Sequence, residues 1–141
     1  MAELLNSSPM VFPVLECIHI LGFILLAGSV ALIDFRLLFA VLPWESPAEL
    51  AEAMMPWNLA GLGLALTSGA LLFASDPDHY YLNRAFQIKM AVLLIALGFD
   101  HTIHKRALRS GSAKLVPCIS LALWMLVIGG GIFIGFVTGP E

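Results

Sequence analysis

Four long apolar runs alternate with short polar connections along this chain. The first extends from about Val11 to Ile33, broken only by Pro13, Glu16 and His19. The second covers Trp57 to Ala74, the third residues 85–103 with an apolar centre ending near Phe99, and the fourth Val116 to Val137. Each approaches the roughly 20 residues that a helix needs to cross ~30 Å of hydrocarbon. A transmembrane barrel would require alternating strands of about ten residues, and the chain contains no such segment. Between the first two runs, Trp44 to Met55 reads as a short helix lying on the membrane surface. Ser46 with Glu49 forms a capping box there, and Pro47 takes the first helical position. The predicted fold is therefore an all-α four-helix transmembrane bundle, a single domain over residues 1–141, with a short interfacial helix between helices 1 and 2. Glycines in the fourth run (Gly129, Gly130, Gly131, Gly135) and the second (Gly61, Gly63, Gly69) suit close helix packing, within one bundle before any homo-oligomer.

Composition strengthens the membrane assignment. The 141 residues are 60% hydrophobic and only 12% charged, outside the range of soluble domains. Cys17 and Cys118 are expected near opposite surfaces as small packing residues, not as a disulfide. The acidic Glu3 and the length of the first run argue against a cleaved signal peptide. Charge distribution sets an expected topology. Lys105, Arg106, Arg109 and Lys114 form the densest basic patch, which the positive-inside rule places in the cytoplasm of a bacterial inner membrane. Both termini and the Ser75–Arg84 loop then face outward, while Arg36 and the Pro43–Pro56 connection face inward. The basic patch is small and apposed to lipid, which excludes nucleic acid as a partner. No P-loop, dinucleotide fingerprint, zinc-protease helix or nucleophile elbow occurs.

Ionisable residues inside hydrocarbon mark candidate functional sites. From the outer boundary, His19 lies roughly 10 Å deep and Lys89 roughly 7 to 8 Å deep at the helical rise per residue. Glu16 shares the His19 face, three residues earlier. These three make an outer polar cluster. Imidazole is a good axial ligand for haem iron. A neutral lysine amine can also ligate, and burial favours the neutral form. Glu16 could orient the imidazole. From spacing alone, a Glu16–Lys89 ion pair with His19 bonded to a neighbouring helix is the simpler reading. A second cluster, Asp34, Arg36, Asp100, His101 and His104, lies at the inner surface. Asp100 falls on the Lys89 face, with His101 turned about 120° away. His101 and His104 have metal-compatible spacing, yet beside Lys105 and Arg106 they read as ordinary interfacial residues. His79, beside Asp76 and Asp78, reads as part of a solvated loop. The six methionines form no repeated Met-x-x-Met array, which leaves copper only as an alternative cargo.

The run from His19 to Gly28, followed by Asp34-Phe35-Arg36-Leu37-Leu38-Phe39, resembles the first helix of the HemJ-type protoporphyrinogen oxidases. The run from Phe86 to Leu94 resembles that family's lysine-bearing helix, with Gln87 where the family has a histidine. The copper-resistance D membrane domain (CopD) carries a related helix. The resemblance covers the first and third runs, under half of the chain. It implies a b-type haem held by the residues matching His19 and Lys89, with Arg36 matching the family's arginine. The expected function is haem-linked electron transfer with a quinone or porphyrin-like reductant. The alternative is a haem-free membrane component, such as a copper-handling module or an assembly subunit.

Overall fold

A computed structural model describes residues 9–39, 41–110 and 114–137 of the chain. Six α-helices and one π-helical turn make up these residues: α1 Val11–Phe39, α2 Pro47–Ser75, α3 Pro77–Leu82, α4 Arg84–Phe99, the π turn Asp100–His104, α5 Lys105–Ser110 and α6 Leu115–Val137. Four stretches are long and apolar enough to cross a membrane, namely Val11–Phe39, Pro47–Ser75, Arg84–His104 and Leu115–Ile134. The chain is an all-α, multi-pass membrane protein. Glu3, Gly111–Ala113 and Glu141 lie outside the described residues.

Proline placement explains where several helices begin. Pro13, Pro47, Pro77 and Pro117 all fall in the first turn of their helices, where a missing N–H breaks no bond. The predicted capping box is present: the Glu49 amide donates to Ser46 Oγ at 3.2 Å, and the Ser46 amide donates to Glu49 Oε2 at 2.9 Å. The expected separate interfacial helix is not. Its residues form the first turns of α2, which runs unbroken through Pro56. The proline removes one bond to the Glu52 carbonyl, but strong helix formers flank it and Leu50 is anchored by burial. At 29 residues each, α1 and α2 are about 44 Å long, so both project beyond the hydrocarbon.

The helices pack as α1 on α2, α1 on α6 and α4 on α6. Gly22 and Gly61 bring α1 and α2 into backbone contact. A Cβ on Gly61 would lie 2.5 Å from the Leu26 nitrogen, and one on Gly22 would lie 2.6 Å from the Ala65 nitrogen. Asn58 adds a polar clasp, donating to Ser29 Oγ at 3.0 Å. The core joins Leu26, Ala27 and Val30 of α1, Leu93 and Ala96 of α4, and Trp124 and Val127 of α6. At the C-terminal end of α2, Phe73 stacks on Phe86 of α4 at 5.7 Å, with Tyr80 leaning on both rings. Ile20, Ile24, Leu66, Leu94, Leu126 and Phe133 point outward, an apolar belt suited to lipid. Cys17 and Cys118 are free and exposed, so neither fills the packing role expected of it.

Candidate functional site

His19 enters the bundle from α1 toward α2. Its Nδ1 lies 3.0 Å from Ser68 Oγ, and its ring packs so closely on Gly69 that a Cβ there would meet Cε1 at 2.9 Å. The Ser68 hydroxyl donates to the Leu64 carbonyl at 2.5 Å, with the Ala65 carbonyl at 3.4 Å. With its proton so placed, Ser68 Oγ can accept from His19 Nδ1–H, in the tautomer whose Nε2 carries the lone pair.

Lys89 reaches the same neighbourhood from α4. Its stem lies along Gly130 and Gly131 of α6, and its Nζ is 4.9 Å from the centre of the Phe23 ring. That ring also stacks edge-on against His19, with centroids 5.0 Å apart. Imidazole and amine thus converge on one side chain from positions 70 residues apart.

Glu16 does not join them. It is exposed, and among the described residues no carboxylate lies within ion-pair distance of Lys89. The expected Glu16–Lys89 pair is absent, and the charge of Glu16 acts instead on Tyr80 in the Phe73–Tyr80–Phe86 cluster. There burial, followed by the carboxylates of Glu16 and Asp76, pushes the Tyr80 phenol above its usual range. The partner of His19 is Ser68, a residue that sequence reasoning missed. Ser68 lies seven residues in from the outer end of α2, about 10 Å deep. Matching depths for hydroxyls as well as for charges would have found it.

Arg36 belongs to the opposite end. It lies 17 residues beyond His19 on α1, about 25 Å away, and its Nε donates to the Glu45 carbonyl at 2.8 Å. It braces the α1–α2 connection, next to Leu42, which holds a left-handed φ of 55°. A role in a shared cofactor site with His19 does not fit that position.

The inner half of the bundle holds a second polar site. His104 Nε2 donates to Asp34 Oδ1 at 2.6 Å, with the two residues 4% and 0% exposed. Asp100 accepts from Trp124 Nε1 at 3.0 Å and from Ser120 Oγ at 3.4 Å. Asp34 Oδ2 is buried without a partner among the described residues. His104 is therefore no ordinary interfacial residue. The π turn widens the helix and carries Asp100 and His104 inward against α6 and α1, while His101 remains exposed and bonded to the Leu97 carbonyl. Neither Trp124 nor Ser120 was singled out from the sequence, since each resembles ordinary apolar-helix composition. His79 is exposed and leans on Tyr80, but it lies in the short helix α3 and not in a loop: Asp76 caps that helix by accepting from the His79 amide. No group of three His, Cys, Asp or Glu side chains is placed to hold a metal ion among the described residues.

No curated protein matches this chain, and neither does any solved structure. A family model does match, over residues 10–137. On that match the chain belongs to the family of unknown function DUF6644.

Proposed function

We propose that the protein is a b-type haem-binding redox protein of the bacterial inner membrane, with His19 and Lys89 as the residues that hold the iron. The observation carrying this reading is the 3.0 Å contact between His19 Nδ1 and Ser68 Oγ. A histidine whose Nδ1–H is tied to a neighbouring helix presents Nε2 in the form a metal requires. Lys89 supports it, because an amine without a carboxylate partner is expensive in hydrocarbon unless it is neutral or ligated. Gly69 and Gly131 keep side-chain bulk away from both nitrogens: a Cβ on Gly131 would lie 3.2 Å from Lys89 Nζ. The resemblance of the His19–Gly28 and Phe86–Leu94 runs to the HemJ and CopD helices points to the same residues.

A bound haem would supply one-electron iron chemistry. The chain's own residues orient and shield. Ser68 holds the imidazole plane, Phe23 fills the space between the two side chains and the core, and Phe73, Tyr80 and Phe86 close the outer end against water. The electron donor in this reading is a membrane quinone or a porphyrin-like reductant, and the acceptor lies on the outer face. The basic end carrying Lys105 and Arg106 is cytoplasmic, which sets both termini outside.

Oxidised and reduced visible spectra of the purified protein test the reading. A Soret band that His19→Ala abolishes is expected. Colourless protein from haem-replete cells would overturn it and favour a copper-handling or assembly role.

A further inference from the structure

We propose that Asp34, His104 and Asp100 form a proton-binding site inside the membrane domain, exchanging with water at the α5 end of the bundle. The proposal is independent of haem. Asp34 lies 15 residues, about 22 Å, along α1 from His19.

Three observations carry it. The first is composition: two carboxylates and one imidazole are contributed by α1 and the π turn and enclosed by α6, with Asp34 and His104 joined at 2.6 Å. With both carboxylates ionised and the imidazole protonated, the three groups still hold one negative charge. Arg36 donates to the Glu45 carbonyl, Lys105 and Arg106 are exposed on α5, and Glu49 and Glu52 are exposed on α2. The described part of α6 presents no ionisable group to the cluster, its Cys118 being exposed.

The second observation is Asp34 Oδ2. It is buried and has no donor, although the other oxygen of the same carboxylate is bonded. A lone carboxylate oxygen in a medium without water carries the full desolvation penalty. It is the atom at which an added proton removes charge without breaking a bond already made. In the step proposed, a proton from water bonds to Asp34 Oδ2 and converts the carboxylate to the acid. His104 Nε2–H keeps its bond to Oδ1, and the charge of the cluster rises by one. Release is the reverse, with no electron moved.

The third is access. His104 closes the Arg84–His104 span and is immediately followed by Lys105 and Arg106, exposed charged residues that mark the polar boundary of the membrane. The Thr102 hydroxyl donates back to the Gly98 carbonyl at 2.7 Å, a bond that loosens the backbone ladder where the cluster approaches the surface. Single π turns inside helices recur at functional sites for this reason: they re-aim side chains that an α-helix would direct outward.

The test uses the full chain in lipid nanodiscs, with infrared difference spectra recorded from about pH 4 to about pH 10 in light and heavy water. A reversible carboxylic-acid carbonyl band at the frequency of a group without water contact is expected, and Asp34→Asn should remove it. Trp124→Phe deletes a donor to Asp100 and leaves the Asp34–His104 bond untouched. It should move the midpoint of that band by roughly half a pH unit or more. A wild-type protein without such a band would overturn the proposal. So would a band unchanged in Asp34→Asn, or a midpoint unmoved in Trp124→Phe, which also decides the matter if Asp34→Asn fails to fold.

Discussion

At the residue scale, the His19 site depends on one hydroxyl. Ser68 donates to the Leu64 carbonyl and holds His19 through Nδ1, which turns Nε2 away from that contact. Ser68→Ala should weaken haem retention by about 10- to 100-fold, the range for losing a partner that orients a ligand. Haem content per polypeptide should fall in the order Glu16→Gln, Lys89→Met, His19→Ala. Glu16→Gln should keep nearly full occupancy, because Glu16 is exposed and does not pair with Lys89. Pyridine haemochrome assay against protein concentration checks the order, and full occupancy in His19→Ala would remove the site. The two inner histidines should separate in the same assay. His101→Ala should leave haem and stability unchanged within about 0.5 kcal/mol, as for other exposed positions. His104→Ala strands the Asp34 carboxylate in the core and should destabilise by about 3–5 kcal/mol, the range for a broken buried pair. Denaturant titration in detergent micelles measures both.

At the element scale, α1 and α2 form the tightest contact in the bundle because glycines face each other. Gly61 is opposed by backbone atoms, which cannot swing aside as a side chain would. Gly61→Ala should therefore destabilise by about 1–3 kcal/mol through overpacking. Gly28→Ala, with nothing within 4 Å of the added carbon, should be neutral or slightly stabilising. Thermal unfolding of the two variants should separate clearly, and equal midpoints would show that α1 and α2 are not in close contact. The α1–α2 pair and the α4–α6 pair are joined mainly through α1 and α6. His19 and Lys89 therefore sit on different pairs, and Phe23 is where the pairs meet.

At the scale of the whole molecule, polarity is distributed by depth. One half holds His19, Ser68 and Lys89; the half nearer the π turn holds Asp34, Asp100 and His104; the apolar core of Leu26, Val30, Leu93 and Val127 separates them. The proposed orientation, with the π-turn half toward the cytoplasm, rests on the basic residues of α5 and Lys114. A reporter active only outside the cytoplasm should be active when fused after Glu141 and inactive within Gly111–Ala113. The reverse pattern would exchange the two sides and place the proton site at the outer surface.

The sequence by itself determined the fold class and the approximate spans, because lipid demands about 20 apolar residues per crossing and that demand is written in composition. It also determined the Ser46–Glu49 cap, a purely local bond. It could not show that Pro56 would be carried within one long helix, since the penalty is offset by packing of residues such as Leu50. Nor could it separate the Glu16–Lys89 pair from the arrangement observed. Residues three apart share a helix face, but the rotation of that face toward a neighbour depends on how glycines let the helices approach. Only tertiary structure turned Glu16 to the surface, Ser68 to His19, and His104 from an apparent interfacial residue into the buried partner of Asp34. Burial of a polar side chain depends on three helices at once, and no single helix encodes it.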